Sequence, residues 1–99
     1  MYCSRAMAVV SDATIVVVAS DALTADFTPE LVILNLRDGV YYGLDEVGAR
    51  IWALLQTPIA IRAVRDAIAS EYDVDVDVCG RDVHTLVGEL VERGLVTVC

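Results

Sequence analysis

The stretch DVDVDVCG at residues 73–80 carries three alternating carboxylates, a pattern that could serve as a calcium loop. An EF-hand loop that began at Asp73 would need glycine at its sixth position and glutamate at its twelfth. Those positions hold Val78 and His84. Such a loop cannot close on calcium. We therefore interpret the stretch as an acidic connector in which Asp77 helps to cap the next helix.

A second candidate for chemistry is a cysteine and histidine pair, because Cys79 and His84 lie five residues apart near a predicted helix start. No third group that would orient the histidine is evident, and the helix directs His84 away from its apolar stripe. We interpret His84 as a surface residue. No base adjoins Cys3, Cys79 or Cys99, so we expect no chemical role for them. The sequence predicts no catalytic residue, no metal site and no cofactor, and hence a protein that is not an enzyme.

The amino-acid composition restricts the classes of protein to which the chain can belong. Its 99 residues, 57% of them hydrophobic, predict one domain spanning residues 1–99. Fifteen acidic residues against seven scattered arginines give a net charge of −8, which disfavours contact with a phosphate backbone. The apolar N-terminal stretch is interrupted by Asp12 and is too short to span a membrane. We expect a cytoplasmic protein that binds neither nucleic acid nor membrane.

The first half of the chain predicts short strands. The three main strands are ALTADF (22–27), LVILNL (31–36) and VYYGLD (40–45). The segment TIVVVAS (14–20) could also be extended. Pro29 indicates a turn, and Asp38 with Gly39 predicts a hairpin because both residues tolerate the positive φ that such turns need. We expect an antiparallel meander of three strands.

The second half predicts three helices, each with an apolar stripe of helical period. The expected elements are a helix capped by Asp45 with Glu46 in its first turn, a helix over about 61–72 introduced by Thr57 and Pro58, a helix from about Asp77 or Gly80 to Arg93, and a short extended tail, LVTV. Gly94 fits the position that ends the third helix. Strands followed by helices predict an α+β domain whose sheet is covered by helices on one face.

The remaining candidate for function is a binding surface along strand 40–44. An edge strand offers unpaired N–H and C=O groups, and VYYGL contains no charge or proline to protect them. Gly43 would let another backbone come close. If the third helix lies along this edge, an extended peptide could add a strand in the groove between them. The residues equally allow a core strand that is covered on both sides.

Three segments carry a family pattern: LVILNLRDGVYYGLDEVGARIWALL, IRAVRDAIASEYDVD and DVHTLVGELVERGLV. They closely resemble the PqqD-like family of leader-peptide-binding domains, also called RiPP recognition elements. The resemblance covers about residues 20 to 97 and leaves the N-terminal residues outside the family pattern. The single-domain form is most similar to the discrete recognition proteins of lasso-peptide gene clusters. It implies a winged-helix-like α+β fold with a three-stranded antiparallel sheet followed by three helices, and no catalytic activity.

The resemblance also implies a ligand. Family members bind the leader of a ribosomally made precursor as a strand added to the third strand, against the third helix. The residues implied to bind the peptide are Val40, Tyr41, Tyr42, Gly43, Leu44, Val83, Leu86, Val87 and Leu90. In the lasso branch the leader presents Tyr-x-x-Pro-x-Leu. The domain delivers the precursor to a separate cysteine peptidase, and the macrocyclase is a further candidate partner.

A winged-helix DNA-binding regulator is the alternative, since three helices and a hairpin can read a major groove. That function needs basic residues on the third helix. The helix carries Arg81 and Arg93 against Asp82, Glu89 and Glu92, and is therefore net acidic. The sequence favours peptide binding over DNA binding.

Overall fold

The structure is a computed structural model that describes residues 11–20, 22–27 and 30–98. The described elements, in chain order, are β1 (Ile15–Val18), β2 (Ala22–Phe27), β3 (Glu30–Asn35), β4 (Tyr41–Leu44), α1 (Glu46–Leu54), β5 (Ile59–Ala60), α2 (Ile61–Tyr72), α3 (Val76–Glu92) and β6 (Val96–Val98). Within these ranges, no helix is long and apolar enough to cross a membrane. The predicted turn at Pro29 and two of the cysteines, Cys3 and Cys99, lie outside the described residues.

Strands β2, β3 and β4 form the predicted antiparallel meander, in that order. The loop of the hairpin comprises residues 36–40, because β3 ends at Asn35 and β4 begins at Tyr41. Gly39 has a φ of +73° and its N–H donates to the Asn35 carbonyl at 2.8 Å. Asp38 acts through its side chain instead, since Oδ1 accepts from the Val40 N–H at 3.0 Å. The Asp-Gly signal thus predicted the hairpin correctly.

A second three-stranded sheet, with the order β5, β1, β6, was not predicted. Its central strand β1 pairs antiparallel with both neighbours, so that Val16 lies opposite Ile59 on one side and Val98 on the other. The LVTV segment, expected to be a tail, is therefore largely a paired strand. The strands that pair in this sheet lie about 40 to 80 residues apart in sequence, and local side-chain alternation carries no information on such pairing.

Two of the helix starts are set by aspartate caps. The Asp45 side chain accepts from the Gly48 N–H at 2.8 Å, which confirms the predicted cap of α1. Helix α3 begins earlier than expected because Asp75, and not Asp77, is the cap: its Oδ1 accepts from the N–H groups of Asp77 and Val78. The predicted end of α3 is confirmed, because Gly94 follows it with a φ of +75°.

Helix α2 has the predicted bounds, but Thr57 and Pro58 do not introduce it. The residue before the helix is Ala60, whose side chain makes no capping hydrogen bond. Residues 59–60 are instead held as β5 against β1, and the Ile61 N–H donates to the Thr14 carbonyl at 3.0 Å. The start of α2 is therefore held in place by pairing with a distant strand, and not by the local cap that the sequence predicted.

The core lies between the β2–β3–β4 sheet and the helices, as predicted, and β1 and β6 each contribute a buried valine to it. Its fully buried side chains are Val16, Ile33, Leu55, Ile61, Val64, Val83, Val87, Leu90, Leu95 and Val96. Asn35 is a buried polar residue whose Nδ2 donates to the Arg93 carbonyl at 2.8 Å while its Oδ1 accepts from the Arg37 N–H. Buried polar groups need such partners. Asn35 thereby fastens the end of β3 to the end of α3.

Candidate functional site

Strand β4 is an edge strand, and in the described part of the chain only β3 pairs with it. Along an antiparallel pair, residues alternately direct their backbone groups toward the partner and away from it. The Asn35 N–H donates to the Val40 carbonyl at 3.0 Å, which sets this alternation. Tyr42 therefore directs its N–H and C=O groups toward β3. Val40 directs its carbonyl toward β3, whereas its N–H donates to Asp38 Oδ1. Tyr41 and Gly43 direct theirs outward, toward the open edge.

The side chains of β4 alternate as well. Leu44 is buried and Tyr42 is half-buried on the side that faces the helices, whereas Tyr41 is 68% exposed on the opposite face. A methyl group added at Gly43 would have no neighbour within 4 Å. The described residues thus leave one face and one edge of β4 uncovered, and it is not a strand buried on both sides.

An apolar groove of about 430 Å³ lies between β4 and α3. It is lined by Tyr42, Gly43, Leu44, Asp45, Val47, Gly48, Ile51, Asp82 and Leu86. Gly48 is one of the lining residues, and its lack of a side chain allows α1 to approach the end of β4. A Cβ at this position would come within 3.2 Å of the Leu44 side chain, a distance tighter than most packed carbons adopt. Because Gly43 also lines the groove, the groove adjoins the open backbone edge of β4.

Tyr42 connects β4 to the later turns of α3. Its hydroxyl donates to Glu89 Oε1 at 2.5 Å, and the Arg93 guanidinium lies 4.8 Å from the centre of its ring. Burial, together with the hydrogen bond to Glu89, raises the pKa of the Tyr42 hydroxyl. The phenol therefore stays protonated and remains a donor at neutral pH. These contacts hold the strand against the helix at one end, while Asp82 and Leu86 line the groove earlier in α3.

The structure brings together only part of the set of residues expected to bind a peptide. Tyr42, Gly43, Leu44 and Leu86 line one groove. Val40 and Tyr41 lie beside it, exposed, at the hairpin end of β4. The other three residues of the set, Val83, Val87 and Leu90, are at most 1% exposed and belong to the core. They fix the position of α3 and do not line this groove.

One face of α3 borders the groove, and the sequence reasoning did not distinguish this face from the one that faces the core. Asp82, Leu86, Glu89 and Arg93 recur every three or four residues, the spacing of side chains on one helix face. This stripe lies beside the buried stripe of the same helix. Val47 and Ile51 of α1 also line the groove, and the sequence reasoning did not include them among the binding residues.

Cys79 and His84, which the sequence offered as a possible catalytic pair, have different partners in the structure. Cys79 is buried, which raises the pKa of its thiol, and its Sγ lies 3.5 Å from the Arg65 carbonyl oxygen. His84 is half-buried rather than fully exposed, and its Nε2 lies 2.7 Å from Asp12 Oδ1. The hydrogen bond with His84, assisted by Arg65, holds the pKa of the Asp12 carboxyl below its ordinary value. Residues 11–20, 22–27 and 30–98 contain no cluster of side chains suited to a metal ion.

The fold and the groove define a winged-helix-like α+β domain with an open sheet edge next to a helix. The family model for coenzyme PQQ synthesis protein D (PqqD) matches residues 30–96. The chain belongs to this family, and the resemblance inferred from its sequence is confirmed. The match begins at β3 and leaves the N-terminal residues outside it.

Two solved structures are similar to the chain. One is TbiB1 in complex with the TbiA(beta) leader peptide, with a TM-score of 0.75 and 35% identity over 81% of this chain and 93% of that one. The other is a lasso peptide synthetase B1 complexed with the leader peptide, with a TM-score of 0.73 and 27% identity over 83% of this chain and 96% of that one. A comparison with curated proteins finds no significant match.

Proposed function

We propose that this protein binds the leader peptide of a ribosomally made, lasso-type precursor, which adds to the edge of β4 as an antiparallel strand. The observation that carries the proposal is the pair of outward-directed backbone positions, Tyr41 and Gly43, beside an apolar groove. Strand addition uses such an edge for affinity and the adjoining pockets for specificity. Both similar structures are described as complexes with leader peptides, which supports the same role here.

The expected binding residues divide by role in this proposal. Tyr41 and Gly43 offer backbone hydrogen bonds to the peptide, while Tyr42, Leu44 and Leu86 present side chains to those peptide residues that point into the groove. The remaining members of the expected set act indirectly. Val40 lies where the added strand would reach the hairpin, and Val83, Val87 and Leu90 support α3 from the core.

The protein has no catalytic role of its own in this proposal. Its task is to hold the precursor for a separate cysteine peptidase that removes the leader, and then for the macrocyclase. Because a ribosomally made precursor first appears in the cytoplasm, the encounter takes place there. The buried Cys79, with the raised pKa of its thiol, is a poor nucleophile.

Fluorescence anisotropy of a labelled lasso-type leader peptide tests this function directly. We expect saturable binding with a Kd on the order of micromolar or somewhat tighter, since a disordered leader loses entropy on ordering. A control peptide with alanine in place of the Tyr, Pro and Leu of the motif should bind much more weakly. Equal binding of both peptides, or binding of neither, would contradict the proposal. Retarded migration of duplex DNA at low salt would favour a DNA-binding regulator instead.

A further inference from the structure

Strand β2 forms the other edge of the meander, on the side opposite to β4. In the described part of the chain β2 pairs only with β3, and all of its residues except Ala22 are exposed. Thr24 and Asp26 line a cavity of about 510 Å³ together with residues of α1, so the helix leaves both side chains exposed. Proteins usually protect such an edge with charges or proline, yet β2 carries a single charge, Asp26, and no proline. The proposed leader site does not use this edge.

The alternation of backbone groups continues from β3 to β2. Because Asn35 directs its backbone groups toward β4, Val32 on the same strand directs its own toward β2. Val32 lies opposite Ala25, so Ala25 directs its N–H and C=O groups back toward β3. Its neighbours Thr24 and Asp26 therefore direct their N–H and C=O groups outward, toward the open edge.

The side chains of β2 that point away from the helices are apolar. Thr24 lies opposite the buried Ile33 and shares its face of the sheet, so Leu23, Ala25 and Phe27 lie on the outer face. Leu23 is 55% exposed and Phe27 is 64% exposed. The edge thus combines outward-directed backbone groups with a strip of exposed apolar side chains, which together suit the addition of another strand.

The sequence of β2 is complementary to itself in one antiparallel register. With Ala25 opposite Ala25 of a second copy, Thr24 lies opposite Asp26 and Leu23 lies opposite Phe27. The two pairs of Thr24 and Asp26 then exchange the backbone hydrogen bonds, and the apolar pairs occupy the positions between them where side chains come closest. A shift of two residues in one direction puts Asp26 opposite itself, and a shift in the other direction leaves Phe27 opposite a residue outside β2.

We propose that β2 pairs with β2 of a second copy of this chain, with the two-fold axis between the two Ala25 residues. The two meanders then form one antiparallel sheet of six strands. Such a symmetric interface uses the same residues on both copies, which the self-complementary register of β2 satisfies. Both β4 edges lie at the ends of the joined sheet and stay open, so the dimer can hold two leader peptides.

The charges around the edge limit the strength of this dimer. Asp26, Glu46 and Arg50 lie on the helix side, where Arg50 is paired with Glu71 at 2.8 Å, and Glu30 is exposed on β3 beside Phe27. Each copy also carries a net charge of −8. Pairing along six residues covers less than the roughly 800 Å² per partner of a standard stable interface. The dimer is therefore weak and reversible, and salt strengthens it by screening the repulsion.

Sedimentation velocity of the intact, reduced protein tests whether the dimer forms. We expect the average sedimentation coefficient to rise with protein concentration, with a Kd on the order of tens of micromolar. The Kd should be lower at about 0.5 M salt than at about 0.05 M salt. A protein that sediments as a monomer up to about 0.5 mM at both salt concentrations would overturn the proposal.

Disulfide trapping tests the register, in a protein that also carries Cys3→Ser and Cys99→Ser. The two Ala25 Cα atoms lie about 4.5 Å apart in this register, within the range that a disulfide spans. We expect Ala25→Cys to give at least about tenfold more crosslinked dimer on mild oxidation than the control Leu23→Cys, whose two copies lie about 13 Å apart along the strands. Equal crosslinking of the two variants, or none of Ala25→Cys, would overturn the proposal.

A matched pair at position 24 tests the backbone hydrogen bonds. Thr24→Pro removes an outward-directed N–H, and proline is tolerated where an edge strand faces solvent. The control Thr24→Val keeps the N–H. We expect Thr24→Pro to be monomeric and Thr24→Val to dimerise within about threefold of the unchanged protein, with circular dichroism to verify both folds. A dimer that persists in a folded Thr24→Pro protein would overturn the proposal, and the trapping experiment decides it if that variant does not fold.

Leader binding distinguishes this proposal from the proposed function. Because β2 and β4 are opposite edges of the meander, we expect monomeric Thr24→Pro to bind the labelled leader within about threefold of the unchanged protein. A protein that binds the leader and stays monomeric would overturn only the dimer. A protein that is trapped as a dimer through Ala25→Cys and binds no leader would overturn only the proposed function.

Discussion

Gly43 combines an outward-directed N–H with an absent side chain, and two substitutions separate these properties. Gly43→Pro removes the N–H donor and puts a ring where the added strand would lie. We expect leader affinity to fall at least about tenfold, because a hydrogen bond is lost and the strand is displaced. Anisotropy with the labelled leader measures this loss.

The control for this prediction is Gly43→Ala, whose added methyl group would meet open space on the outer face of the sheet. This variant retains the N–H, and we expect it to bind the leader within about threefold of the unchanged protein. A Gly43→Pro variant that remains folded and binds the leader fully would rule out strand addition at this position.

At the scale of the secondary-structure elements, α3 presents two adjacent stripes with different tasks. Leu86 is half-buried and lines the groove, whereas its neighbour Val87 is fully buried in the core. We expect Leu86→Asp to remain folded and to lose about tenfold or more in leader affinity, because it puts a charge in an apolar groove. Circular dichroism and anisotropy on the same sample measure the two effects separately.

The comparison variant for this prediction is Val87→Asp. A carboxylate at this position would be buried without a partner, so we expect the domain to unfold. If Leu86→Asp binds as tightly as the unchanged protein, the groove beside β4 is not where the peptide lies. If Val87→Asp folds normally, the division of α3 into a groove stripe and a core stripe is wrong.

On the scale of the whole molecule, a hydrogen bond and an ion pair attach the segment before β1 to two helices. Asp12 interacts with His84 of α3 at 2.7 Å and with Arg65 of α2 at 3.0 Å. The hydrogen bond with His84 and the charge of Arg65 lower the pKa of the Asp12 carboxyl in the folded protein. The resulting stabilisation is present above the carboxyl's unfolded pKa of about 4 and is lost as the pH falls through the lower folded value.

Replacing this carboxyl should therefore produce a pH-dependent change in stability. We expect Asp12→Asn to lower the urea midpoint at pH 7 and to differ less and less from the unchanged protein as the pH falls toward 3. Asp73→Asn is a suitable control, since it removes one carboxylate at a left-handed residue, a conformation that asparagine tolerates. A difference between Asp12→Asn and the unchanged protein that stays constant from pH 7 to pH 3 would contradict the proposed linkage.

Local chemistry was sufficient wherever an element depends on its immediate neighbours. Asp38 with Gly39 predicted the hairpin, Asp45 predicted the start of α1, and Gly94 predicted the end of α3. Each signal works because the hydrogen bond or the positive φ involved spans only a few residues. The cap of α3 shows the limit of such reasoning, because the sequence predicted Asp77 and the structure has Asp75, another of the three aspartates that alternate along this stretch.

By itself, then, the sequence determined the class of fold, the central meander and the three helices, because periodicity and local caps encode them directly. The resemblance of its motifs indicated the family. Only the tertiary structure decided which surfaces meet. It paired Val16 with Ile59 and Val98 in a sheet whose register no local pattern specifies. It also directed Leu86 toward β4 and Val87 into the core, although both are apolar neighbours on one helix. The orientation of a helix around its axis depends on everything packed against it, and a single stripe of apolar residues does not contain that information.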